Sequence, residues 1–527
     1  MRRWELAIVF LPSLALGQAV LPGPDTLTAR GVVFEDANGN GTRDERERGV
    51  GGVWVSNQRH FAKTDRQGKW QLPGNDDTVF YVVKPRGWMV PTDDHNVPVF
   101  YYVHKPKGSP PNLRHKGLEP TGPLPESIDF PLRRQKENDE FKALFFGDTQ
   151  PRDLREVDYL TRDVFEPLYG KADEYDFGVT LGDVVFDDLS VTGPLVQAIG
   201  LIGIPWYYVL GNHDINYDVP DDSESDEHWH RYFGPNYYSF DHGPVHFVVL
   251  DNVEWHGQEN AAKEEPPRSR GYYRAALGQT QMAWLREDLS HQDEDKLVVV
   301  IMHIPITEVV DREALYALLA ERPYALSVSA HTHMQEHRFV TQADGWPKAE
   351  PHHHVINVTT CGSWWAGLPG PRGVPHTTMR DGAPPGYSVF TFDGSDYRIE
   401  FRAAGRPADY QMNITAPDAA SEGFEFFVNV FGGSERSTVE YSFAGSEWAP
   451  MERTVEADPG YVELVAREGE VAAPFRKLPA AEKSTHLWKA RLELTVEPGT
   501  HPLHVRTTDM FGQTYVTSRA IRVVRPG

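Results

Sequence analysis

The sequence predicts a multidomain chain in which a central α/β layered domain lies between two all-β, sandwich-like domains. Three observations predict it. The 527 residues are too many for one hydrophobic core. Short alternating apolar runs, broken by Gly, Asn, Asp and Pro, fill both ends of the chain, which is the rhythm of antiparallel sandwiches. Between them, strand-length apolar runs alternate with longer amphipathic segments, the texture of an α/β core. The expected division is a leader at 1–19, a β-sandwich at 20–136, the α/β domain at 137–405 and a second β-sandwich at 406–527.

The leader rests on Arg2 and Arg3, the apolar stretch Leu6–Leu16 and the small residues around Gly17, the three parts of a secretory signal. Export, to a bacterial periplasm or to the medium, is therefore expected. The single cysteine, Cys361, allows no internal disulfide and suits that setting better than a disulfide-dense ectodomain. No later segment is apolar enough to span a membrane. A net charge of −24 disfavours long nucleic acid as a partner, but not a small phosphorylated one drawn by local metal charge.

In the first sandwich the strand candidates are Gly31–Phe34, Gly52–Val55 and Val79–Val83. In the centre they are Ala143–Phe146, Phe177–Thr180, Trp206–Leu210, Val245–Leu250, Leu297–Met302 and Leu326–Ser329. Trp284, Leu285 and Leu289 sit at helical spacing, so a helix is expected over Gln281–Leu289. At the end, Phe426–Val430, Tyr461–Val465 and Ala490–Leu494 read as strands. Asp218–Glu227 reads as an acidic, solvated loop.

Five short motifs follow five of the central strands: Gly147-Asp148-Thr149-Gln150, Gly182-Asp183 through Asp187, Gly211-Asn212-His213-Asp214, Met302-His303 and His331-Thr332-His333. The carboxyl ends of strands in α/β sheets form one edge, so the motifs converge despite their sequence separations. Carboxylate, amide and imidazole donors together suit first-row divalent metals, and a pair of such ions is the known clamp for phosphate-ester hydrolysis.

In this order the motifs resemble those of the calcineurin-like metallophosphoesterases, over about 260 central residues. The resemblance implies an α/β/β/α sandwich with two divalent transition metals (Mn, Fe or Zn). It implies that Asp148, Gln150, Asp183 and His333 hold one ion, and Asp183, Asn212, His303 and His331 the other. Asn212 would also hold phosphate, His213 would protonate the leaving oxygen and Asp214 would orient His213. The implied reaction is in-line attack by a hydroxide bridging the pair. Gln150 departs from the usual Asp-x-His and is a weaker, neutral donor. Ala330 stands where the last motif has glycine. Phe186 stands where purple acid phosphatases carry a tyrosine ligand and has no donor atom, so a tyrosinate-ferric site is excluded.

The run Cys361–Gly367 and the run Asp381–Tyr387 resemble a secreted subgroup with flanking sandwiches. Trp364 and Trp365 are candidates for the substrate wall, and Arg152 for a phosphate contact. His352-His353-His354 is not expected to chelate one ion, because neighbours on a strand point in opposite directions. Asp36, Asn38, Asn40, Thr42, Asp44 and Glu47, with Gly41 between, have the spacing of a twelve-residue calcium loop, so structural calcium is expected in the first sandwich. The expected activity is phosphomonoester hydrolysis, on a small molecule, lipid headgroup or phosphoprotein. The alternatives are phosphodiester hydrolysis, or a secreted binding or adhesion protein whose central domain is inactive.

Overall fold

The computed structural model describes residues 27–525 apart from 265, 267, 269, 270 and 473. The expected leader lies outside the described residues. No helix among them is long and apolar enough to cross a membrane.

Two four-stranded sheets form the N-terminal sandwich. One holds Leu27–Glu35 between Lys69–Gly74 and Phe130–Arg134, and the other holds Trp54–Ser56 and Thr78–Val82 at its centre. The C-terminal sandwich pairs a four-stranded sheet around Phe424–Val430 and Lys483–Leu492 with a five-stranded sheet around Gly499–Thr508. Phe426, Val428, Trp488, Val505 and Ile521 fill the space between those sheets.

The central domain has a five-stranded and a six-stranded sheet. The first runs in the order Trp206–Tyr208, Phe177–Thr180, Glu140–Phe146, Gly386–Asp393, Asp396–Ala403. The second runs Tyr238–His242, Val245–Val249, Leu297–Ile301, Ala325–Ser329, His352–Ile356, Glu336–Val340. The strands that precede the motifs run parallel to one another within each sheet. Aromatic rings pack the two sheets together: Tyr207 lies flat on Phe240 with centroids 4.0 Å apart, and Phe177 meets Phe247 at 5.2 Å. Such strands are covered on both faces, which is why they read as continuous apolar runs.

The expected helix forms over Gly278–Ser290. Its Trp284 leaves the domain, donating from Nε1 towards Ser56 and Tyr81 of the first sandwich. Two expectations need correcting. Tyr461–Val465 is not a strand but part of a helix, Pro459–Glu468. Asp458 caps its first turn by accepting from the Gly460 N–H, and Pro459 supplies a fixed φ at the start, so the ends outweigh the β-prone interior. The acidic stretch is also not wholly solvated. Its last residue, Glu227, is fully buried and pairs with Lys105 and Ser109 of the first sandwich.

Candidate metal centre

The site forms where the two central sheets present their strand ends to each other. The first sheet brings Asp148, Gln150, Asp183 and Asn212, and the second brings His303, His331 and His333. The oxygen donors thus come from one sheet and the nitrogens from the other. All seven are buried except His331, which is partly exposed.

Glycine sets the spacing. At Gly211 a Cβ would fall 2.0 Å from the Asp183 nitrogen, and at Gly182, with φ +90°, one would fall 2.4 Å from His303 Nδ1. Only a bare Cα lets these turns approach each other. Gln150, Asp183, His331 and His333 themselves have φ of +41°, +45°, +71° and +55°. Side-chain-bearing residues avoid this region, and its concentration at four donors is strain of the kind that functional sites hold.

Backbone carbonyls choose the nitrogen each histidine presents. His303 directs Nδ1 to the Leu181 carbonyl at 2.8 Å, and His333 directs Nδ1 to the Gly362 carbonyl at 2.5 Å. Each Nε2 is thereby turned inward, His333 Nε2 lying 3.1 Å from Asp148 Oδ2. His303 Nε2 stands 3.1 Å from Asn212 Oδ1, 3.2 Å from Asp183 Oδ1 and 3.1 Å from His331 Nδ1. Donor atoms of Asp183, His303 and His331 all lie within 4.8 Å of one another. Asp148 Oδ2 is buried, with the His333 ring as its neighbour. Carboxylate and amide oxygens and ring nitrogens that converge at these distances are the donor set of a divalent metal, so the residues present suit such an ion.

Electrostatics agree. Burial opposes ionisation of Asp148 and Asp183, but the hydrogen bond and charge of His333 at the first, and the charges of His303 and His213 at the second, outweigh it and hold both carboxyls below their usual range. Burial also disfavours charge on His303, yet Asp183 raises it to about 9, whereas burial carries His331 down to about 4. The cluster draws positive charge to itself.

Gln150 is turned the other way. Its Nε2 donates to Asp183 Oδ2 at 2.9 Å, and its oxygen faces Cys361 Sγ at 3.7 Å. Half a turn of the amide exchanges the two atoms, and only then does Gln150 offer an oxygen to metal.

The role expected of Asp214 is corrected. Its carboxylate accepts from the backbone N–H groups of Val184, Val185 and Gly211, tying the second motif to the third. Burial first and Asp183 next raise it to about 7. The residue on the His213 ring is Asp187, whose Oδ1 lies 2.7 Å from Nδ1. Phe186 stacks on the other side of that ring at 4.4 Å, and the Arg152 guanidinium lies 4.2 Å above Phe186. Arg152 also donates to the Trp364 carbonyl at 2.9 Å.

Trp364 stacks on His333 with centroids 3.9 Å apart. Trp365 does not share that position: it is buried, packs on Tyr159 and lines another cavity beside His376 and Thr377. Tyr217 was not anticipated. Its hydroxyl donates to the Asn212 carbonyl at 2.5 Å and lies 3.5 Å from His213 Nδ1. The three adjacent histidines behave as their alternation requires. His352 and His354 both reach Ser327, while His353 turns away to Tyr397 and His337.

Away from this centre, the loop from Asp36 folds on itself. Asp36 accepts from the N–H groups of Gly39, Asn40 and Gly41, and Asn40 from that of Thr42. Asp44 accepts from the amides of Asn38 and Asn40, and Glu47 from the N–H groups of Ala37 and Asp44.

Three family models match the chain: the N terminal of calcineurin-like phosphoesterase over 37–116, calcineurin-like phosphoesterase over 141–335, and the C terminal of calcineurin-like phosphoesterase over 354–515. The last begins before residue 406, in the second central sheet. Among solved structures, a purple acid phosphatase isolated from yellow lupin (Lupinus luteus) seeds is similar at 11% identity, covering 72% of this chain and 67% of that one, with a TM-score of 0.35. No curated protein matches.

Proposed function

The chain belongs to the calcineurin-like phosphoesterases and is a metal-dependent phosphoester hydrolase, and from that premise we propose that it hydrolyses phosphomonoesters with Asp183 shared between two divalent transition metals. The observation that carries the reading is the meeting of donor atoms of Asp183, His303 and His331 within 4.8 Å of one another, with Asn212 Oδ1 3.1 Å from His303 Nε2. Asp148 and His333 extend the cluster on one side, with Gln150 joining after its amide turns.

Metal bound by these residues would supply Lewis acidity for activating the attacking water and for the developing phosphate charge. The chain's own groups do the rest. Asp187 holds His213 by Nδ1, which leaves Nε2 to give a proton to the leaving oxygen. Tyr217 fixes the Asn212 backbone beneath it, and Asn212 aims its amide at the phosphate. Arg152, kept near by Phe186 and Trp364, favours the second negative charge of a monoester. That charge is why the monoester is preferred here to the diester.

The test is metal analysis of the purified protein, then turnover of 4-nitrophenyl phosphate and of its bis ester after loading with Mn, Fe or Zn. The monoester is expected to be the faster substrate, and Asp183→Asn is expected to cost more than the ~100-fold typical of groups outside the ligand shell. Full turnover by that variant would remove the scheme.

The leader-like residues support export. The turn geometry of Asp36, Asn38, Asn40, Thr42, Asp44 and Glu47 supports a structural calcium ion in the first sandwich. Calorimetry on chelator-treated protein should detect one calcium per chain, and a flat titration would dispose of the claim.

A further inference from the structure

A hairpin of Val253–His256 and Tyr272–Ala275 stands beside the metal ligands. Between it and the third motif lies a cavity of about 660 Å³, with Tyr217, Trp255, Tyr272 and Tyr273 in its lining. That is the size of a small-molecule pocket. Its walls are tied to the site. Tyr217 hydrogen-bonds the Asn212 carbonyl and approaches His213. The Tyr273 ring meets that of His331 edge-on, with centroids 6.0 Å apart and planes at 87°. Trp255 is set edge-on to Tyr217 at 5.2 Å and anchored by its Nε1 donating to the Val219 carbonyl. Tyr272 lies flat on His256 at 4.7 Å, and the Arg268 guanidinium, also in the lining, lies 4.1 Å over its ring. A Cβ at Gly271 would fall 2.4 Å from the Trp255 ring, so the backbone runs directly against that indole.

We infer that this cavity is the subsite for the leaving group and that it selects a planar aromatic one, an aryl or nucleoside group. The inference rests on the phosphoester-hydrolase reading above and sharpens it. The place follows from His213: the group that protonates the leaving oxygen shares Tyr217 with the cavity, so whatever is attached to that oxygen enters here. The chemistry follows from the walls. The rings of Tyr217, Trp255 and Tyr273 offer π-faces and edges, Tyr272 being held between His256 and Arg268, and a planar ring system gains stacking from them that a sugar or alkyl chain does not.

The test uses the metal-loaded full chain. Adenosine 5′-phosphate and ribose 5-phosphate carry the same primary phosphate and differ by the base. Each is measured as a competitor of 4-nitrophenyl phosphate or its bis ester, whichever is turned over. The nucleotide is expected to have an inhibition constant about tenfold lower or better, the order for one base on an aromatic platform. Tyr273→Ala is expected to bring the ratio to about twofold, with Tyr273→Phe restoring it. Equal constants in the unaltered protein overturn the subsite and leave the hydrolase reading intact, and so does a ratio that survives Tyr273→Ala. Hydrolysis of neither chromogenic ester overturns both.

Discussion

His246 lies fully buried between two carboxylates, its Nδ1 2.7 Å from Asp241 and its Nε2 2.8 Å from Asp288. Burial alone would strip its charge, but Asp288 and Asp241 prevail and raise it to about 9. The ordinary value in an unfolded chain is about 6.5. Its contribution to stability is therefore complete below that value and is lost as pH rises through about 9. Replacing His246 by Gln leaves Asp288 buried without a counter-charge and should cost about 3–5 kcal/mol near pH 6. Denaturant melts at pH 6 and pH 10 check this, the gap between variant and parent closing at the higher pH. Residue-scale legibility divides along the same line. Asp148, Asp183, Asn212 and the three histidines are readable because each follows an apolar strand at a set interval. Asp187 and Tyr217 have no such interval. They acquire meaning only when the second and third motifs come side by side and His213 falls between them. Asp214 misleads for the converse reason: its neighbour in sequence is His213, but its neighbours in space are three backbone amides.

At the scale of elements, the buried parallel strands are the easy part, since both faces demand apolar residues. The helix Pro459–Glu468 is the hard part, because Tyr461, Val462 and Val465 favour extended backbone and only the capping residues speak against it. Its position matters to the site. The segment after it returns Arg476 to the cleft, where Nη1 donates to the Trp364 carbonyl at 2.6 Å and pairs with Glu156 at 3.0 Å. Arg152 binds the same carbonyl, so guanidinium groups from two domains hold the tryptophan that covers His333. Arg476 is a positioning residue, partly exposed, and its loss should lower kcat/KM about fivefold, equivalent to about 1 kcal/mol. Metal content should stay at the parental level, and Arg476→Lys should recover part of the loss. A variant with unchanged kinetics would mean that Trp364 is held without it.

Over the whole molecule, the first sandwich and the central domain share one continuous core, which runs from Val33 and Phe80 through Trp284 to Val299. Phe100 of the sandwich meets Tyr238 at 5.1 Å, and Lys84 reaches Glu137 at 2.6 Å. The C-terminal sandwich has its own core but is tied in by a buried polar chain. Asp381 accepts from the Gln335 N–H and faces His486, which reaches Asn429, and Asn429 donates to the helix-capping Asp458. A chain without residues 27–136 would expose Trp284 and leave Glu227 buried without Lys105. It should aggregate or bind a hydrophobic dye and lose near-ultraviolet dichroism, whereas a native-like spectrum would show that the centre stands alone. Sequence texture suggests three regions, because strand rhythm differs among them. It is silent on their mutual burial, since an interface residue such as Trp284 looks like any other core residue.

Trp284 has a consequence for ancestry. A catalytic unit whose own helix lends its largest ring to a neighbouring domain is not portable. It is neither readily shuffled onto another scaffold nor released whole by a processing protease. Insertions and substitutions accepted by lineages carrying this chain should therefore gather at the loop tips, while the N-terminal partner is inherited together with the centre it supports.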